Sequence, residues 1–235
     1  MTVKLAVLDM DGTLFNGFLA ADMAKALART AECDTASAEV ALDAIHRYQA
    51  GVISHDECAS DFYEAYGQAV TGLRAVTLDE LAHRVWKKSR LHVFGHAKPL
   101  VTWLQAQQMT VCLLSGSPDN VLRPAARQLG IKRYWGMTLA QAGGHLTGRV
   151  ERAPALRGAK SKILEHITRT TSVDWASSFA MGDSSSDIDV LDKVGRAVAF
   201  EPDGELRQTA EKRGWTVADR HDVLHRCRLQ WQSRV

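Results

Sequence analysis

The sequence predicts an α/β fold: a doubly wound parallel sheet with a helical cap domain inserted into it. Three observations carry that expectation. Four short runs are apolar on both faces, as central strands of a parallel sheet are. Helical patterns alternate with the later runs. A long, almost wholly helical stretch follows the first run, where such a fold normally places one helix.

The elements follow in order. Val3 to Leu8 is the first strand, and it runs straight into two carboxylates. Phe15 to about Arg90 contains no strand-like run and is Ala-rich between 19 and 45, with a polar break at Gly51 to Ser54 that reads as a helix–helix turn. The domain boundaries expected are therefore 1–14 and 91–235 for the core and 15–90 for the cap. Leu100 to Met109 reads as a helix and Thr110 to Ser115 as the second strand, ending in Ser-Gly-Ser. A short turn at Pro118-Asp119 then leads to a helix starting near Arg123, with Pro124 in its first turn, where a missing N–H is tolerated. Thr138 to Val150 reads as a β-hairpin about Gly143-Gly144, a small excursion from the core. A helix at Ser161 to Arg169, a strand at Ser178 to Asp183, a helix at Asp187 to Val194 and a strand at Arg196 to Phe200 complete the core.

Composition bounds the function. The chain has 235 residues, 46% hydrophobic and 24% charged, and 29 basic against 27 acidic side chains give a formal charge of +2. That balance argues against disorder and against the basic field of a general nucleic-acid binder. No apolar run approaches the ~18 residues of a membrane span, and no signal-peptide pattern precedes Asp9, so a cytoplasmic protein is expected. Cys33, Cys58, Cys112 and Cys227 lack C-x-x-C spacing and read as free thiols.

Ligands of open parallel sheets bind beyond the carboxyl ends of the strands, so the polar clusters there matter most. In Asp9-Met10-Asp11-Gly12-Thr13, residues i and i+2 point the same way, so two carboxylates face one ligand. Such acids repel unless a cation or a proton lies between them, which is how Mg²⁺ sites and acid–base pairs are built. Ser115-Gly116-Ser117 offers hydroxyls and a backbone that an anion can approach. Lys160 enters a helix after Gly158-Ala159, and Gly182-Asp183-Ser184-Ser185-Ser186-Asp187 is a second acidic strand end. Each cluster taken singly also reads as a turn, a cap or surface charge. Together they supply what phosphoryl transfer needs: an anionic nucleophile, a metal site, a cation, hydroxyl and amide donors, and an acid–base group.

These four clusters, in this order, resemble motifs I to IV of the haloacid dehalogenase (HAD) superfamily, over about Val3 to Phe200. The helical insert, the Gly158-to-Leu164 run and Gly-Asp-x-x-x-Asp-Ile resemble its phosphoserine phosphatase-like branch, subfamily IB. The resemblance implies an HAD-like Rossmannoid core and a Mg²⁺-dependent phosphatase acting on a small-metabolite phosphate monoester. Carried over residue by residue, it implies Asp9 as nucleophile, forming an aspartyl-phosphate, and Asp11 as general acid and base. It implies Mg²⁺ on the Asp9 carboxylate, the Asp11 backbone carbonyl and Asp183, with Asp187 either supporting that shell or orienting Lys160. Ser115, Gly116 and Lys160 would bind the phosphate.

The chain also departs from that branch. An acidic residue expected seven positions after Asp11 is Phe18, and no Arg or Lys lies between Tyr48 and Leu73, where an arginine for the substrate carboxylate is expected. Ser186 stands where the family often has Asn. Phosphoserine is therefore disfavoured, and one or two of Phe18, Asp61 and Tyr66 are expected to face the site and select a polyol or amine-bearing phosphate. The same stretch carries Asp56, Glu57 and Glu64, which read as a solvated helix face. His92 and His96 read as linker histidines. Val223, Cys227 and Trp231, beside Arg220, Arg226, Arg228 and Arg234, read as a terminal helix docked on its own core, with a subunit interface as the second reading. The partner expected is a small phosphate ester, with no nucleic acid and no membrane, for a monomer or homodimer. The competing functions are a phosphotransferase with an alcohol acceptor and a non-catalytic phosphate-ligand binder.

Overall fold

The structure is a computed structural model and describes residues 2–232. Its centre is a seven-stranded sheet in the order β4-β3-β2-β1-β5-β6-β7. The strands are β1 (Leu5–Leu8), β2 (Thr110–Pro118), β3 (Arg133–Ala142), β4 (His145–Arg152), β5 (Phe179–Gly182), β6 (Arg196–Phe200) and β7 (Thr216–Ala218). All neighbours pair in parallel except β3 and β4. In β1, Leu5 and Val7 point into one apolar cluster while Ala6 and Leu8 point into the other. Both faces are thus covered, which is why the strand reads as an unbroken apolar run.

On the Ala6 and Leu8 face pack α5 (Ala97–Ala106), α6 (Asp119–Leu129), α10 (Val223–Gln232) and the insert; on the Leu5 and Val7 face pack α7 (Ala159–Thr170), α8 (Ile188–Lys193) and α9 (Gly204–Arg213). From β1 the chain crosses to β2 on one side and later returns to β5 on the other. Strand order reverses at β1, and that crevice is where a doubly wound sheet binds ligands.

The insert consists of α1 (Leu19–Leu27), α2 (Thr35–Gln49), α3 (His55–Ala69) and α4 (Ala75–Ser89). Alanines at 38, 41 and 44 let α2 pack closely on α3, and the break at Gly51 to Ser54 is their turn. Asp34 caps α2 through the Ala36 and Ser37 amides, and Ser54 with Glu57 forms a capping box at the start of α3. The acids between 56 and 64 lie on the outer side of α3, Asp56 paired with Arg157 and Asp61 with Arg47.

Two expectations are corrected. Residues 138–150 are no excursion: β3 begins at Arg133, pairs in parallel with β2, and with β4 extends the sheet to its edge. Arg133-Tyr134-Trp135 is half exposed at that margin, so it gives no apolar run for pattern reading to find. The helix expected near Arg123 begins at Asp119, placing Pro124 inside it. The missing Pro124 N–H removes one bond of that helix, to the Asn120 carbonyl. The terminal helix docks as expected: Val223 and Cys227 are buried, and Trp231 meets Trp103 edge-on at 5.1 Å. Arg234 lies outside the described residues.

Candidate active site

The strand-end clusters converge beyond β1, β2 and β5. Leaving β1, the Asp9 amide donates to the Met181 carbonyl, and the chain then turns so tightly that the Leu14 and Phe15 amides both donate to the Met10 carbonyl, each at 2.9 Å. Gly12 makes this turn at φ +77°, and a Cβ there would lie 2.1 Å from Asp183 Oδ2. Conformation and space both demand glycine. Thr13 Oγ1 donates to Asp183 Oδ1 at 2.8 Å, while the Thr13 carbonyl accepts from Nε2 of buried His96 at 3.0 Å. His96, read from sequence as a linker residue, instead props the turn that carries both carboxylates, and burial pushes its pKa down.

Asp11 is held by three donors: the Leu19 amide at 2.6 Å, Ser117 Oγ at 2.6 Å and Ser115 Oγ at 3.0 Å. The Leu19 amide is an orphan donor at the start of α1, whose own N-cap, Phe18, has no side-chain oxygen to offer. Ser115, expected at the phosphate, is fully buried with its hydroxyl turned to Asp11, because a buried carboxylate needs donors; Gly116 and Ser117 form the cavity wall in its place. Lys160 Nζ donates to Asp9 Oδ1 at 2.8 Å and to Asp187 Oδ1 at 2.5 Å. Asp187 Oδ2 in turn accepts from the Asp183 and Ser184 amides. Asp187 therefore fixes the lysine and the 182–187 loop together.

Four carboxylates thus share one ammonium. Burial drives the Asp9 pKa up to about 8; Lys160 pulls it down, and Asp187 and Asp11 push it up again. Asp183 is raised well above the usual carboxylate range by burial, then by Asp9 and Asp187. Asp11 is raised by burial against the pull of its three donors. Burial works against the charge of Lys160, but Asp187 and Asp9 outweigh it and hold its pKa up. Ligand oxygens of Asp9, Asp183 and Asp187 lie within 4.8 Å of one another. Among the described residues the hydrogen bonds to Asp9 and Asp183 side chains use only their Oδ1 atoms. A buried, oxygen-only cluster with excess negative charge fits a hard divalent cation such as Mg²⁺.

Above these groups lies a cavity of about 90 Å³. Asp9, Asp11, Gly116, Ser117, Lys160, Asp183, Ser184 and Ser186 line its floor, and the insert supplies its roof. Phe18 lines it as expected. Tyr66 does not: it is fully buried inside the insert against Phe62. Asp61 is exposed on the outer side of α3, so an amine- or polyol-selective roof loses the acid on which it rested. Sequence reading missed Tyr48, His55 and Tyr63. Tyr48 and His55 flank the α2–α3 turn, and the Ser54–Glu57 capping box fixes where α3 starts, so the placement of His55 at its first position was legible. Burial pushes the His55 pKa down, with Lys160 acting in the same direction. Tyr63 donates to the Gly116 carbonyl at 2.9 Å and accepts from the Ala155 amide at 3.0 Å, tying α3 to the Ser-Gly-Ser loop.

The haloacid dehalogenase-like hydrolase family model matches residues 6–192, and the chain belongs to that family. A phosphoserine phosphatase of Streptomyces coelicolor is 26% identical over 207 residues, covering 88% of this chain and 46% of that protein. A histidinol-phosphatase of Neisseria meningitidis is 25% identical over 225 residues, covering 91% and 97%. A solved structure of a Bordetella pertussis protein of unknown function has a TM-score of 0.77 at 25% identity, covering 94% of this chain and all of that one. The chain spans about half the length of the first curated relatives it matches. No helix among the described residues is long and apolar enough to cross a membrane.

Proposed function

We propose that the protein is a Mg²⁺-dependent phosphatase that hydrolyses a small-metabolite phosphate monoester through an aspartyl-phosphate on Asp9, with 15–90 as a cap over a core formed by 1–14 and 91–235. The observation that carries this reading is the placement of Asp9: at the cavity floor, one oxygen held by Lys160 and the other without a donor among the described residues. In the first half-reaction that second oxygen attacks phosphorus, the phosphorus–oxygen bond to the alcohol breaks, and the Asp11 carboxyl gives its proton to the departing alkoxide. The raised pKa of Asp11 suits the proton-bearing role. In the second half-reaction Asp11 takes a proton from water, which attacks the phosphorus, releasing phosphate and restoring Asp9. Lys160 and the Gly116 amide are the groups that meet the phosphoryl oxygens, the Ser117 amide being spent on Ser115 Oγ at 3.0 Å, and Thr13 and Asp187 keep Asp183 and Lys160 in place. Mg²⁺, held by Asp9 and Asp183 with Asp187 beside them, would neutralise the carboxylates and the phosphate oxygens.

The insert closes over a confined cavity of about 90 Å³, which supports a small-metabolite substrate. Among the described residues neither an arginine nor a roof acid lines it, which counts against phosphoserine. The four cysteines are free thiols, in keeping with a reducing, cytoplasmic setting. The test is phosphate release from a panel of phosphate esters with and without Mg²⁺, together with acid-quenched trapping of phosphate on the protein. Turnover and trapping are expected in the wild type and neither in Asp9→Asn. A wild type that releases no phosphate from any ester overturns the reading.

A further inference from the structure

We propose that the alcohol part of the substrate carries a flat, uncharged ring with a hydrogen-bonding edge, seated against Phe18, Tyr48 and Phe62 and met by His55. This rests on the phosphatase reading above. Every side chain that the insert places on the cavity is uncharged, and most of that lining is aromatic or aliphatic: Phe18, Ile45, Tyr48, His55, Phe62 and Tyr63. Phe18 and Tyr48 meet edge-to-face with centroids 6.3 Å apart at 88°, and Tyr48 and His55 do so at 5.5 Å and 83°. Rings arranged this way offer faces and edges to a further ring, the arrangement aromatic groups prefer.

Charge is excluded on both signs. A substrate carboxylate would lose its hydration in this roof and find, among the described lining residues, only Lys160, which Asp9 and Asp187 already hold. An ammonium would need an acid from the roof, but Asp56 and Asp61 are paired with Arg157 and Arg47 outside the cavity. Tyr63 spends its hydroxyl on Gly116 and Ala155, so the polar groups left in the roof are the Tyr48 hydroxyl and the His55 ring. His55 Nδ1 is buried, and no hydrogen bond joins it to any described residue. Buried polar nitrogens are normally paired, and the missing partner is assigned to a ring nitrogen or N–H of the substrate.

The test compares primary-alcohol esters, so that leaving-group chemistry stays close to constant: ethyl, benzyl and pyridylmethyl phosphate, O-phosphoserine and glycerol phosphate, each with Mg²⁺ at about pH 7.5. Benzyl phosphate is expected to exceed ethyl phosphate, O-phosphoserine and glycerol phosphate in kcat/KM by at least about tenfold. Pyridylmethyl phosphate is expected to exceed benzyl phosphate by about threefold to tenfold. In His55→Phe, which keeps the edge contact with Tyr48, the pyridylmethyl-to-benzyl ratio is expected to fall to about one; in His55→Gln part of it returns. Binding of the non-hydrolysable benzylphosphonate and ethylphosphonate, measured by calorimetry, separates this inference from the phosphatase reading. No turnover of any ester together with tighter benzylphosphonate binding sinks the phosphatase and keeps the ring slot. Turnover with O-phosphoserine or glycerol phosphate at or above benzyl phosphate, or a pyridylmethyl-to-benzyl ratio that His55→Phe leaves unchanged, overturns the inference.

Discussion

Asp9 is the residue at which function and stability pull apart. Its pKa stands at about 8 in the fold against an ordinary 3.8, so between those values the folded state binds more protons than the unfolded chain. For this group the stability of the metal-free protein is fully present below about pH 4 and is lost as pH rises through 8. Asp9→Asn removes the charge while Lys160 keeps Asp187 as its partner. The metal-free variant is therefore expected to melt a few °C above the wild type at pH 8, with the gap narrowing toward pH 5. Calorimetric scans at the two pH values check this, and a variant that melts lower at pH 8 contradicts it. Tyr63 acts in the other direction: its hydroxyl both donates to Gly116 and accepts from Ala155 inside the protein. Tyr63→Phe is expected to destabilise by about 1–3 kcal/mol and to lower kcat/KM about tenfold, since the Ser-Gly-Ser loop loses its tether. Urea unfolding and kinetics on one ester measure both.

Among the elements, α3 decides the shape of the site. Near its end Gly67 lies so close to β4 that a Cβ would meet the Gly148 carbonyl oxygen at 2.2 Å. Because that oxygen is backbone, no rotamer change relieves the clash. Gly67→Ala is expected to push α3 off β4, with a loss of about 1–3 kcal/mol and a rise in KM larger than the fall in kcat, because the roof moves while Asp9 and Asp11 stay on β1 and its turn. Equal falls in kcat and kcat/KM, with KM unchanged, would count against this account. The turn before α3 was legible from the polar break at Gly51 to Ser54. Which α3 side chains face the cavity was not: Phe62, Tyr63 and Tyr66 are spaced closely enough that the sequence does not choose among them. Packing against α2 and β4 turns Tyr66 inward and Asp61 outward.

Over the whole molecule, the sheet assembles four carboxylates and one ammonium at its reversal point, so the folded protein carries a local charge that its total of +2 conceals. Mg²⁺ is expected to stabilise it by about 3 kcal/mol at a hundredfold excess over the dissociation constant, a rise of several °C. Protons compete for the same oxygens, since burial raises both Asp9 and Asp183. The Mg²⁺-induced shift in melting temperature should therefore grow from pH 6 to about 8 and vanish in acid. A shift that is flat across that range would mean that these carboxylates do not hold the ion.

The sequence by itself determined the central strands, the helical insert and the four polar clusters. It could do so because buried parallel strands leave unbroken apolar runs, and because the site residues follow those runs directly in the chain. The edge strand β3, the inward turn of the Ser115 hydroxyl, the support His96 gives to Thr13 and the aromatic roof at Tyr48 and His55 were decided only by the tertiary structure. Each depends on which groups become neighbours across the fold. A half-exposed strand carries no apolar pattern, and a buried carboxylate draws its donors from whatever segment the sheet brings beside it.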